Sequence, residues 1–259
     1  MINEIHALLD ALKLRHARAA VDKQLKTAQK QKTSYSAFLL ELLRREHEGQ
    51  RDRSIARRLK RSGLQEYWTL ETFPFRVQKC VDKRLIDELA ELDFIDRGQS
   101  VIFIGQPAVG KSGLASGIMM KALYAGRRCQ AVKADALFDE LGKSHADRST
   151  RRRLQRLSRL DLLLIEEFGF ISPLEPRQVN AFFRLMDDRC NRKSTIITTN
   201  LGFEEWGKFL GGSALVAALV SRLLQNCKTI MFPKQAIKLR NPKLGLPARA
   251  QRPTILEAA

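Results

Sequence analysis

Gly105, Gln106, Pro107, Ala108, Val109, Gly110, Lys111 and Ser112 follow directly on four apolar residues, Val101 to Ile104, and stand in the spacing G-x-x-x-x-G-K-S. Four such residues suit a buried parallel strand, and the glycines let the backbone curl until successive N–H groups converge on one point. Beyond Gly113, the spacing of Leu114, Ile118 and Ala122 predicts a helix whose positive end faces the same point. A di- or triphosphate fits such a nest. Lys111 would pair with the β and γ phosphates, and the Ser112 hydroxyl would ligate the Mg²⁺ that bridges them.

A second chemical constellation lies downstream. Asp161 to Phe168 reads DLLLIEEF, a central strand by composition that ends in two carboxylates. Beside a phosphate loop, Glu166 would orient the metal shell, and Glu167 would position or deprotonate the attacking water. Aspartate is usual at the first position, and the extra methylene of Glu166 moves the carboxylate by about one C–C bond. Ser194 to Asn200, STIITTN, is a β-branched strand that puts Asn200 at its carboxyl end, where open α/β sheets bind ligands. Asn200 there reaches the γ-phosphate or the water, although asparagine is also ordinary turn chemistry.

The elements that position these groups must form within 259 residues, enough for one large domain or a core with an accessory one. Lys and Arg number 46 against 28 acids, a formal charge of +18, so a polyanion is the leading partner. That partner is nucleic acid; an anionic membrane would call for an amphipathic basic helix with large apolar anchors, or a spanning run, and the sequence has no such run. The N-terminus, MINEIHALLD, carries acids where a secretory signal needs bases, which reads as a cytoplasmic protein. Four scattered cysteines form no C-x-x-C pair, and no metal or catalytic role falls to the four histidines.

From Met1 to about Gln65 the sequence reads as helices. Ile2, Ile5, Leu8, Leu9 and Leu12 share one face, the polar stretch 23–33 is either more helix or a connector, and Ser34 or Ser36 caps a helix bearing Phe38, Leu39, Leu42 and Leu43. Arg57, Arg58, Lys60 and Arg61 crowd its far end and suit phosphate contacts. Trp68 to Phe75 reads as an extended aromatic linker, with Phe73 and Phe75 available to wall an adenine ring. Past the loop helix, CQAVK at 129–133 is a strand, and Arg148, Arg151, Arg152, Arg153, Arg156 and Arg159 ride a helix whose buried face is Leu154, Leu157 and Leu160. After a helix over 214–225, TIMF and AIKLR read as short β stretches, and the rest as a basic, disordered tail. The boundaries are thus a basic helical domain at 1–66, a linker at 67–76, a nucleotide-binding core at 77–240 and a tail at 241–259.

The succession GQPAVGKS, LLLIEEF, STIITTN, VSRLL resembles the AAA+ ATPases of the initiator and helicase-loader group. It is most similar to the IstB-type transposition helpers that partner an IstA-type transposase. The stretch from Tyr35 to Leu64 and the linker WTLETFPF resemble that family's N-terminal domain and linker. The resemblance implies an α/β fold, an AAA+ P-loop NTPase core with a parallel sheet, preceded by a small helical N-terminal domain. It implies ATP and Mg²⁺ as cofactors, Asn200 as the sensor asparagine and Arg222 as an arginine finger that reaches a neighbouring subunit's γ-phosphate, hence a homo-oligomer joined through its ATP sites. Duplex DNA and a transposase are the implied partners. A replicative helicase loader and an ATP-binding DNA scaffold with little hydrolysis are the competing functions.

Overall fold

The structure, a computed structural model, describes residues 1–142, 148–169, 174–211, 214–240 and 253. One compact unit runs from Met1 to Arg57 and a second begins at Arg58. In the first, α1 (Ile2–Ala11) and α2 (Arg15–Gln31) are separated by a turn with Lys13 in the left-handed region, so the polar stretch from Lys23 is helix and not connector. The third helix, α3 (Tyr35–Arg61), starts where the Ser34 hydroxyl accepts the N–H of Ala37 at 3.3 Å. Ala17, Val21 and Leu42 form the small core, flanked by Phe38 and Leu25. The buried carboxylate of Glu46 caps α2 from α3, accepting the N–H groups of His16 and Ala17 at 2.8 and 2.9 Å. Burial pushes its pKa up, but these N–H donors and the Gln50 amide outweigh burial and hold it below the usual carboxylate value.

The second unit is organised by a five-stranded parallel sheet in the order β2-β3-β4-β1-β5. Its strands are β1 (Ser100–Ile104), β2 (Cys129–Lys133), β3 (Leu162–Phe168), β4 (Ser194–Thr199) and β5 (Cys227–Met231). β1 and β4 are buried throughout, as strands covered on both faces must be. The helices are α4 (Lys83–Ala90), α5 (Asp93–Asp96), α6 (Lys111–Tyr124), α7 (Ala134–Gly142), α8 (Arg148–Ser158), α9 (Pro176–Arg189), α10 (Phe203–Phe209) and α11 (Ala214–Gln225). One face of the sheet packs Ile102, Leu163, Ile165 and Ile197 against Phe138, Phe182 and Trp206.

Strict alternation along β3 would turn Glu167 into that apolar layer after Leu163 and Ile165. A bulge prevents it: the register with β4 shifts between Ile165 and Phe168, and Glu167 takes a left-handed backbone with φ 61°. Phe168 therefore fills the core, 4.6 Å from the Trp206 ring, and Glu167 stays exposed.

Two sequence expectations are corrected. AIKLR at 236–240 is not a strand; it leaves β5 through Pro233 and crosses the phosphate loop, where the Leu239 N–H donates to the Ala108 carbonyl at 2.8 Å. The side-chain amide of the buried Gln78 replaces a ladder neighbour: its Nε2 donates to the Ile237 carbonyl at 2.9 Å and its Oε1 accepts the Ile237 N–H at 3.4 Å. Trp68 to Phe75 is not extended but folded into successive turns, because Leu70 and Phe73 are buried, with Leu70 against Gly117 of α6 and Phe73 against Gly110.

At the amino-terminal edge of the sheet, Arg189 is 1 % exposed and has no carboxylate partner among the described residues. Its guanidinium donates to the carbonyls of Leu157 and Leu160 at the end of α8, to the Thr195 hydroxyl and to the Ser194 carbonyl. Arg189→Met should leave those acceptors buried and unpaired, lowering stability by about 3 kcal/mol or more. Both tryptophans, Trp68 and Trp206, belong to this unit, so urea unfolding followed by tryptophan fluorescence measures it; an unchanged midpoint would show the carbonyls finding other donors.

Candidate nucleotide-binding site

All the sheet's strands run the same way, so their carboxyl ends converge on one edge. The phosphate loop leaves β1 there, Glu166 and Glu167 end β3, and Asn200 follows β4. The sequence-derived groups for phosphate, metal and water are thus brought to one edge by strand direction alone.

Within the loop, Ala108 and Gly110 have φ of 67° and 107°, and a Cβ on Gly110 would lie 2.7 Å from the Phe73 ring. Gly105 is equally confined, since a Cβ there would meet the Phe232 side chain at 2.6 Å. Lys111, Ser112 and Gly113 open α6, where N–H groups have no acceptor within the helix and can face an anion. Gln106, Pro107 and Val109 complete the curl, and the Gln78 amide holds its shape by donating to the Val109 carbonyl at 2.7 Å.

The Lys111 ammonium is buried and donates to the carbonyls of Gly105 and Gln106, each at 2.7 Å. Burial lowers its pKa to about 8. The Glu166 carboxyl shifts the other way. Burial is the main cause and raises its pKa; the Ser112 hydroxyl bonded to it opposes this, while Glu167 and Glu66 nearby add to the rise against Lys133. A hydroxyl and a carboxylate are both hard oxygen donors, so Ser112 and Glu166 fit a magnesium ion held beside the phosphates.

Glu167 is pinned twice, by its N–H on the Thr198 hydroxyl at 3.2 Å and by its carboxylate on Lys133 Nζ at 3.0 Å. Asn200 Oδ1 is buried without a hydrogen-bond partner, a group left for a ligand or water to satisfy. Arg222 is elsewhere. It lies in the last turn of α11, which Asn226 alone separates from β5, and β5 begins opposite the first residue of β1. Arg222 is therefore at the amino-terminal edge, about 16 Å of strand away from its own phosphate loop, half-exposed and paired with Asp187.

The residues read as nucleic-acid contacts divide. Arg57, Lys60, Arg61, Arg151, Arg152 and Arg156 are exposed. Arg58 donates through Nε to the Leu123 carbonyl at 2.8 Å, and Arg153 forms an ion pair with Glu140 of α7. The side chain of Arg148 and the tail at 241–252 and 254–259 lie outside the described residues.

The family model for IstB-like ATP binding proteins matches residues 7–244. The chain belongs to that family. It is 34% identical over 93% of its length to the insertion sequence IS21 putative ATP-binding protein of Pseudomonas aeruginosa, covering 91% of that protein. It is 33% identical to the IS5376 putative ATP-binding protein of Geobacillus stearothermophilus, over 82% of this chain and 84% of that one. Among solved structures, the DnaC helicase loader superposes with a TM-score of 0.50 at 21% identity, over 58% of this chain and 87% of the other. The fold is that of the AAA+ P-loop ATPases, and this IstB family member is an ATP-binding ATPase of insertion-sequence type. No helix among its described residues is long and apolar enough to cross a membrane.

Reading residues along the chain misses Lys133 and Gln78. Lys133 has a local signal, a lysine at the carboxyl end of a strand. Gln78 has none, because it meets Ile237 across 159 residues.

The lowered pKa of Lys111 gives a signed expectation. ATP binding should recharge it, so at pH 8 about half a proton should be taken up and affinity should fall as pH rises through 8 to 10. Calorimetry in buffers of different ionisation enthalpy measures the uptake; none at pH 8 would mean Lys111 is already charged before ATP arrives.

Proposed function

We propose that the protein assembles on duplex DNA when ATP is bound, deforms that DNA and presents it to a partner transposase of the IstA type. The observation that carries the reading is the position of Arg222. A cation separated from its own phosphate loop by the length of a strand cannot serve its own ATP, but it can complete the site of a second copy. Asp187 holds it in the free chain, and a γ-phosphate would exchange for that carboxylate on assembly. ATP then joins two subunits, assembly multiplies individually weak phosphate contacts, and hydrolysis dissolves both.

Within one site, Lys111 and the N–H groups from Gly110 to Gly113 bind the phosphates. Ser112 and Glu166 would hold Mg²⁺, whose chemistry is to neutralise charge on the β and γ oxygens. Glu167, once released from Lys133, would orient the water, and Asn200 Oδ1 would accept a hydrogen bond from it. The insertion-sequence names of the relatives favour transposition over helicase loading; the likeness to DnaC is one of fold.

Arg222→Ala should abolish ATP-dependent oligomers and reduce turnover at least tenfold while leaving ATP affinity of the monomer within about threefold. Light scattering with nucleotide titration tests this, and undiminished assembly would remove the finger. Glu166→Gln should lower Mg²⁺-dependent turnover about a hundredfold or more, with nucleotide binding in EDTA little changed. Normal turnover in that variant would place the metal elsewhere, whereas negligible turnover by the unaltered chain would leave the protein a DNA scaffold with ATP as a structural ligand.

A further inference from the structure

We propose that the amino-terminal edge of the sheet carries a separate phosphate pocket, formed by Arg128, Arg152, Arg156 and Arg159, that seats the phosphodiester backbone of duplex DNA. The inference rests on the DNA-binding reading above and gives it a location. Arg128 does not belong to the basic clusters singled out from the sequence.

The pocket is a cavity of about 320 Å³ lined by these four arginines with Gln155 and Leu160. Arg152, Arg156 and Arg159 recur at four- and three-residue steps, so they share one face of α8 and its C-terminal turn, while Leu157 on another face is buried. All three are exposed, and none has a carboxylate within 4 Å among the described residues. Arg128 approaches from the start of β2 and is preorganised. Its Nε and Nη2 both rest on Asp161, at 3.1 and 2.9 Å, and its backbone N–H bonds the same carboxylate at 3.0 Å. Lys193 also pairs with Asp161, at 2.8 Å, so that carboxylate is already shared by two cations and leaves the pocket strongly positive.

Size and chemistry select the occupant. From Arg152 to Arg159 the helix rises about 10 Å, longer than a single phosphate group and suited to a run of them. Leu160 is the lone apolar side chain in the lining, so there is no platform for a base. Guanidinium forks are the donors that match phosphate oxygens in pairs. β2 and β3 begin at this edge, a strand's length from the phosphate loop, so the pocket cannot share the ATP held by the same chain.

The experiment uses the full chain, a 30-base-pair duplex and a salt titration, with inorganic tripolyphosphate as a second probe. Arg156→Gln with Arg159→Gln should weaken duplex binding about tenfold at 0.15 M salt and reduce the slope of log K against log salt by about 1 to 2. Arg177→Gln with Arg184→Gln, an equal charge change on exposed positions of α9, should cost less than threefold. If both pairs weaken binding alike, or the first leaves it unchanged, net charge holds DNA and the pocket does not. Tripolyphosphate protection that the first pair removes while duplex affinity stays intact would assign the pocket to free polyphosphate and overturn the DNA occupant. Absence of duplex binding by the unaltered chain would instead sink the DNA reading itself.

Discussion

Lys111 carries an ammonium into the protein with no carboxylate paired to it among the described residues; two loop carbonyls are its partners. Neutral oxygens replace only part of the hydration such a charge loses, which is why its proton is weakly held. The strain is relieved by an anion, and the loop is built to keep that position open. Phe73 and Leu239 close on Gly110 from outside, and Gln78 and Leu239 clamp the carbonyls of Val109 and Ala108. The loop's backbone at Ala108 to Gly110 is thus held from two distant parts of the chain. The phosphate site is therefore preorganised by the linker before the core and the strap after it.

Strand polarity then divides the molecule's chemistry in two. The carboxyl edge gathers the phosphate loop, two carboxylates, Lys133 and an unpartnered asparagine oxygen. The amino edge gathers Arg128, Arg189, Lys193 and Arg222, with Asp161 and Asp187 as counter-charges. A parallel sheet enforces this separation because a group at a strand's start cannot act at its end. An arginine of the amino edge can meet a nucleotide only if a second molecule brings one to it.

Much of the carboxyl edge is legible in the sequence, because phosphate binding and a strand ending in acids are local patterns. G-x-x-x-x-G-K-S and LLLIEEF each fit within one element and its turn, and apolar composition alone places their strands in the sheet's interior. What the sequence conceals is set by pairing over distance. AIKLR has strand composition, yet Pro233 and the Gln78 amide divert it across the loop. The bulge at Glu167 follows from competition between Phe168 and a carboxylate for one apolar site, which alternation by itself would award to the glutamate. Basic residues deceive in the opposite direction: Arg58 and Arg153 look like free charge in the sequence and are partners of Leu123 and Glu140 in the fold.

The surplus of positive charge does little to hold the protein together. Nearly all ion pairs among the described residues have at least one partner a third or more exposed, as with Lys83 and Asp87 or Arg97 and Asp93, where such pairs contribute about 0 to 1 kcal/mol. A formal +18 instead repels itself across a chain of this size, a cost that folding must carry. Screening over about 8 Å at physiological salt confines that cost to charges that are close neighbours, and the arginines along α8 are such neighbours. Their crowding, with no acid among residues 148–160, concentrates repulsion along one helix. Arg189 shows that the fold holds the helix there in spite of it, by binding the end of α8 with a buried guanidinium that adds yet another positive charge. A polyanion lying along that face would lower the repulsion and engage the exposed guanidinium groups in the same step, so a nucleic acid would turn an unfavourable feature of the free chain into a favourable contact.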